Sequence, residues 1–173
     1  MNELNDILSP TPADVFILQA ELRQIIISTG HDYWGRQGEG RMQAGVKLCA
    51  EIECVAGKGL VGDRYFGFRN DFKGQVTFFD YSVYEEIKLT FNLPKLPPSV
   101  FRRNLVISGV NLTSLIGKTF WFQGIQFEGC QECTPCIWMD RTIAEGVQAF
   151  MKTNGRGGLR AKILTSGILR RDI

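Results

Sequence analysis

Apolar, β-branched runs recur along this chain, and glycine-rich connections cut most of them off at strand length. Val15 to Ser28, Val46 to Val55, Gln75 to Phe79, Asn104 to Ile107, Thr119 to Phe127 and Leu159 to Leu169 read as strands. Only two segments carry helical spacing. In Tyr81 to Phe91 the side chains of Val83, Tyr84, Ile87 and Phe91 share one side, and Pro94, Pro97 and Pro98 stop the helix. In Thr134 to Lys152 the residues Ile143, Val147, Phe150 and Met151 form a buried stripe, closed by Asn154-Gly155. Strands and helices do not alternate as a doubly wound sheet requires. The pattern predicts a mainly β fold with a few helices, curled into a closed or partly open β-barrel.

No repeat, low-complexity tract or linker divides the 173 residues. A single domain is expected over residues 14–173, behind a loose leader, 1–13, that ends around Pro10 and Pro12. Lys and Arg number 20 against 18 Asp and Glu, a net charge of +2, too even for general nucleic-acid binding. The arginines are unevenly placed, however. Arg102-Arg103, Arg156, Arg160 and Arg170-Arg171 fall in the second half, where a local anion site is plausible. Met1 to Asp14 lacks the apolar centre of a secretory signal, and no stretch approaches the roughly 20 apolar residues of a membrane helix. A cytoplasmic protein with no membrane or nucleic-acid partner is expected, its five clustered cysteines mostly reduced thiols. One histidine, His31, excludes a His-rich metal site or a two-histidine mechanism.

Three of the cysteines lie in Gly129-Cys130-Gln131-Glu132-Cys133-Thr134-Pro135-Cys136. Thr is a good N-cap and Pro suits the first helical position, so Cys136 is predicted in a first helical turn facing inward. Unpaired N–H groups there favour a thiolate, the form that attacks electrophiles or binds soft metals. A zinc site would need a fourth ligand from Cys49 or Cys54. A redox pair, Cys133 with Cys136, and three buried small hydrophobes are the other readings. Arg102-Arg103 ahead of a strand can hold a phosphate or carboxylate bidentately, or sit as a solvated pair. Gly155-Arg156-Gly157-Gly158-Leu159-Arg160 can form an anion nest or a plain helix-to-strand turn. Gly57-Lys58-Gly59 is no P-loop, since no Ser or Thr follows its Lys. Asp63 and Arg64 can line a pocket or pair in an ordinary turn, and His31 can serve as a pocket acid or base or lie on the surface.

In chain order these segments are GHDY (30–33), GKGLVGDRYFG (57–67), FRRNLVISGVNL (101–112), LIGKTFW (115–121), CTPC with its following MD (133–140) and GRGGLRAKILTSG (155–167). Together they resemble the MOSC domain, the family named for the C-terminal domain of molybdenum cofactor sulfurase. The likeness runs from about residue 22 to the C-terminus. It implies a mainly β barrel similar to the barrel domain of pyruvate kinase, and binding of molybdenum cofactor (molybdopterin). Some relatives reduce N-hydroxylated compounds; others are thought to carry sulfur as a cysteine persulfide. The family's functional cysteine falls on Cys136, implying a metal ligand. Arg102, Arg103, Asn104 and Arg160 match basic and polar pocket positions, Asp63 and Arg64 match its GDR signature, and Gly157, Gly158 and His31 join the cofactor-binding set. Asp63 is expected to act beside Cys136 in catalysis. Pyridoxal phosphate is not expected. The last strand departs from the family's Gly-Asp ending, closing instead on Leu169-Arg170-Arg171-Asp172. The likeness includes no iron–sulfur or flavin module, so a reductase would need a separate electron-donor protein, and a sulfur carrier would need a cysteine desulfurase.

Overall fold

The computed structural model describes residues 16–32, 42 and 44–172. The leader 1–13 and Tyr33, Trp34 and Arg36 lie outside them. Among the described residues ten strands form: β1 (Glu21–Ser28), β2 (Val46–Cys49), β3 (Glu51–Val55), β4 (Gly59–Leu60), β5 (Val76–Asp80), β6 (Leu105–Ser108), β7 (Thr119–Phe122), β8 (Ile125–Glu132), β9 (Leu159–Ile163) and β10 (Gly167–Arg170). Seven pair in the order β2-β1-β6-β5-β9-β8-β7, and β10-β3-β4 form a second sheet. The β5–β6 pair is parallel and the other neighbours are antiparallel.

A closed barrel is not what this pairing forms, because β2 and β7 remain edges. One isolated parallel bridge, Ile17 to Trp121, brings the chain ahead of β1 against β7. Its two backbone bonds, Leu18 N–H to the Trp121 carbonyl at 2.7 Å and Trp121 N–H to the Phe16 carbonyl at 2.8 Å, are too few to make a ladder.

Three expected strands are each two. Val46 to Val55 turns a corner at Ala50, leaving β2 in one sheet and β3 in the other. Thr119 to Phe127 contains a two-residue hairpin, with Gln123 (φ 47°) and Gly124 (φ 76°) both left-handed, the geometry that matches strand twist. Leu159 to Leu169 breaks between β9 and β10. At Ala50 the chain offers no turn residue to mark the bend, whereas Gln123-Gly124 and Thr165-Ser166-Gly167 are short polar breaks within otherwise strand-like runs.

The strands' inward faces form one core, with Phe78, Phe120 and Phe127 in mutual ring contact and Ile52, Cys54, Leu60 and Leu169 contributed by the smaller sheet. Burial pushes the Cys54 thiol up to about 12. The helix α1 (Tyr81–Thr90) crosses over between parallel β5 and β6. Asp80 caps it, accepting the Ser82 N–H at 2.8 Å. Its Tyr84 and Ile87 pack with Phe79, Phe101, Met139, Val147 and Met151 in a second core.

The long helix expected over Thr134 to Lys152 is instead α2 (Trp138–Thr142) and α3 (Val147–Lys152). Between them Gly146 is left-handed at φ 90°, and the Asp140 carboxylate accepts the Gln148 N–H at 2.6 Å to start α3. Thr134 therefore caps nothing. Ile137 precedes α2 in helical geometry with no side-chain cap, and Cys136 lies before the helix instead of in its first turn. Among the described residues no helix is long and apolar enough to cross a membrane.

Candidate functional site

Loops from distant parts of the chain meet over one end of the sheet and enclose two adjoining chambers. Arg64, Tyr65, Arg102, Arg103, Cys136 and Met139 border both. The narrower chamber, about 230 Å³, adds Phe72, Gly74, Thr77, Cys133, Thr134 and Arg160. The wider one, about 350 Å³, adds His31, Asp32, Phe101 and Trp138. Cys136, the exposed thiol of the five, stands where the chambers meet.

The four cavity arginines differ in what already holds them. Arg102 leaves the 3₁₀ turn Pro98–Phe101 in left-handed geometry (φ 54°), which costs a non-glycine residue about 1 kcal/mol. Its guanidinium is spent on protein groups: Asp32 at 2.7 Å, Ser28 Oγ at 2.8 Å and the Gly30 carbonyl at 2.7 Å. Arg103 donates to the carbonyls of Gly157 at 3.0 Å and Phe101 at 2.9 Å. Arg64 lies over the Tyr65 ring at 4.8 Å and 3.7 Å from the Asp63 carboxylate. Arg160 alone of the four has no hydrogen bond or ion pair among the described residues, and Gly74, with no side chain, leaves it room.

Asp63 and Asn104 sit behind this lining. Asp63 is buried; its Oδ2 accepts from Ser28 N–H at 3.1 Å and Asn104 Nδ2 at 3.2 Å, and its Oδ1 accepts from Tyr65 N–H at 3.1 Å. Asn104 Oδ1 accepts both the N–H and the hydroxyl of Thr77, at 3.0 and 2.9 Å, while Nδ2 also donates to the Ile26 carbonyl. These bonds use the polar atoms that a cofactor would otherwise contact. Both residues fix the loops that carry Arg64, Tyr65 and Arg103.

Gly157 and Gly158 border neither chamber. The Gly157 N–H is taken by the Glu132 carboxylate at 3.0 Å. A Cβ on Gly157 would overlap the Cys133 carbonyl oxygen, and one on left-handed Gly158 (φ 96°) the Phe78 carbonyl. The glycines thus let the approach to β9 lie directly against β5 and the end of β8, and Cys133 N–H reaches the Gly158 carbonyl at 2.8 Å. His31 reaches the wider chamber, its ring edge-on to Tyr65 at 5.0 Å. Burial, then Arg64 and Arg102, hold its imidazole below the ordinary value, against an opposing pull from Asp63.

The cysteines divide as their surroundings dictate. Cys133 is buried at the narrower chamber. Cys130 is the extra residue of a bulge, where β8 shifts register against β9 between Gly129 and Gln131, and burial raises its thiol. Among the described residues no group of three or more His, Cys, Asp or Glu side chains is placed to hold a metal, which weighs against the zinc reading. Asp32, Tyr65, Phe72, Trp138 and Met139 are site residues that sequence reasoning passed over, although Asp32 and Tyr65 stand beside His31 and Arg64 in the segments that carried the resemblance.

This architecture recurs in solved structures. The chain is similar to the YuaD protein from Bacillus subtilis (TM-score 0.68, 20% identity, covering 87% of this chain and 91% of that one). It is also similar to YiiM from Geobacillus stearothermophilus (0.64, 11%, 88% and 71%) and to YiiM from Escherichia coli (0.57, 16%, 87% and 67%). At such identities the likeness is one of fold. No curated protein sequence matches the chain. The family model described as the MOSC domain matches residues 60–172, well over half of the chain, which therefore belongs to the MOSC domain family.

Proposed function

We propose that this MOSC protein binds molybdenum cofactor and reduces N-hydroxylated bases or related compounds, with Cys136 as the protein's ligand to the metal. The observation that carries the proposal is the pairing, in one cavity, of an exposed thiol with a guanidinium that has no partner among the described residues. A thiolate is a soft donor suited to molybdenum, and Arg160 is a bidentate donor suited to a phosphate. The donor set fits a phosphorylated, metal-bearing group bound through one protein sulfur, which needs no cluster of ligands. Arg160, with Arg64 on the same chamber, would hold the phosphate; Arg102 and Arg103 would shape the cavity by holding its loops. When bound, the cofactor supplies two-electron oxygen-atom chemistry. In the net reaction the N–O bond of R–NH–OH breaks, and two electrons and two protons yield R–NH2 and water. The electrons come from a separate electron-donor protein.

Protein expressed with molybdate should carry molybdenum and pterin in equal amounts, and Cys136→Ser should lose the metal. A Ser variant with stoichiometric molybdenum refutes the ligand assignment. One observation favours a second reading: Cys133 lines the same chamber as Cys136. A sulfur carrier would take the sulfane sulfur of a cysteine desulfurase onto Cys136, and the Cys133 thiolate would then attack the Cys136 Sγ, expelling hydrosulfide and leaving a Cys133–Cys136 disulfide that an external thiol reduces. One added sulfur on Cys136 by mass spectrometry, with no reduction under any donor, selects that reading.

A further inference from the structure

We infer that the two chambers have different occupants: the narrower takes the anionic cofactor, and the wider takes the planar ring of the substrate, with Cys136 between them. This rests on the cofactor reading above and adds where the substrate sits and what holds it. The chambers differ in charge and in ring surface. Arg160, whose guanidinium has no hydrogen bond or ion pair among the described residues, borders only the narrower one. An anion there gains a full charge-assisted pair without displacing an existing bond. The wider chamber adds no arginine of its own: Arg64 and Arg103 are shared with the narrower one, and the charge of Arg102 is met by buried Asp32 at 2.7 Å.

What the wider chamber adds instead is the rings of His31 and Trp138, facing Tyr65, which it shares with the narrower one. Tyr65 is fixed on three sides, by His31 edge-on at 5.0 Å, by Phe72 at 5.2 Å and by Arg64 over its face at 4.8 Å. A wall held this way binds a flat ring without first losing side-chain freedom. At about 350 Å³ the chamber is within the range of small-molecule sites. An N-hydroxylated heteroaromatic base would lie there with its N–OH group toward Cys136. An aliphatic N-hydroxy compound would find the same reacting group but no partner for a ring.

The test compares His31→Ala and Trp138→Leu with Arg160→Ala in protein expressed with molybdate. Molybdenum and pterin content are measured, with equilibrium dialysis of cytosine and KM values for N4-hydroxycytosine and hydroxyurea. His31→Ala and Trp138→Leu should keep metal and pterin at wild-type stoichiometry. Both should weaken cytosine binding and raise the KM for N4-hydroxycytosine about tenfold, the scale of one lost ring contact, and leave hydroxyurea within about twofold. Arg160→Ala should lose pterin and metal while binding cytosine within about twofold of wild type. Since Trp138 is buried, a misfolded Trp138→Leu leaves the decision to half-buried His31. Loss of pterin in His31→Ala, or of cytosine binding in Arg160→Ala, overturns the division. Pterin-free wild-type protein refutes the cofactor reading and the role of the narrower chamber. The ring site then stands only if His31→Ala still weakens cytosine binding.

Discussion

Asp63 is the residue at which a catalytic and a structural role make opposite predictions. Its two oxygens accept three hydrogen bonds, from Ser28 N–H, Tyr65 N–H and Asn104 Nδ2, in a position 6% exposed. Asp63→Ala strands the two backbone donors, at about 1–3 kcal/mol each, while Asn104 keeps its bond to Ile26. Removing a buried carboxylate also relieves its own desolvation, so the loss should settle near about 4 kcal/mol. Asp63→Asn has the same shape. Its best orientation keeps the oxygen on Ser28 and Asn104 and turns the amide toward Tyr65 N–H, sacrificing one bond, for about 2 kcal/mol. Urea unfolding at pH 7, with an unchanged m-value, measures both. The structural role predicts losses in the order Ala, then Asn, with cofactor content falling in parallel as the Arg64–Tyr65 loop loosens. An Asn variant within about 0.5 kcal/mol of wild type, fully loaded yet without turnover, would refute this reasoning and make Asp63 a catalytic residue.

Two further predictions concern positions away from the cavity lining. Gly157→Ala should destabilise by about 3 kcal/mol, because the added Cβ meets backbone that neither strand can move alone; Gly57→Ala, strained at φ 72° but in open space, should cost about 1 kcal/mol in the same denaturation series. The Cys54 thiol, raised by burial from 9.0 to about 12, keeps a proton in the folded protein that the unfolded chain gives up above pH 9. Stability should therefore fall as pH rises between about 9 and 12, by roughly 1 kcal/mol per pH unit from this group, and Cys54→Ala should flatten that stretch of the profile. An identical slope in the variant excludes Cys54 as its source.

The strands were legible because their apolar residues are, but the corners were not. Val46 to Val55 keeps its alternation across Ala50 although its halves belong to different sheets. The hairpin after β7 needs left-handed Gln123, a residue with no strong turn preference; long-range bonds from its side chain to Arg170 N–H and carbonyl, both 2.8 Å, hold the turn to β10. The capping of Cys136 failed for a related reason. Thr134-Pro135 has the local chemistry of a helix start, yet the helix begins only at Trp138, and the residue ahead of Thr134, Cys133, is tied to Gly158, a partner 25 positions away. Cys136, Arg64, Arg102, Arg103, Arg160 and His31 all reach the cavity, while Asp63, Asn104, Gly157 and Gly158 support it from behind. Sequence separates those two groups poorly, because the difference lies in bonds to carbonyls and carboxylates remote along the chain.

The supports have an order of their own. Arg160 on β9 is paired across the ladder with Thr77 on β5; Thr77 exchanges three bonds with Asn104 at the start of β6; Asn104 bonds the backbone of Ile26 on β1; and Asp63 joins Asn104 to Ser28 at that strand's end. A polar row thus crosses four neighbouring strands of the larger sheet. Buried polar groups are tolerated only when each is satisfied, and here they satisfy one another. The row ends at Arg160, the cavity guanidinium without a hydrogen bond or ion pair among the described residues. An anion bound there would complete a network that already runs through the sheet, so its binding energy would be spent on a guanidinium whose strand is held in place and not on ordering a loop.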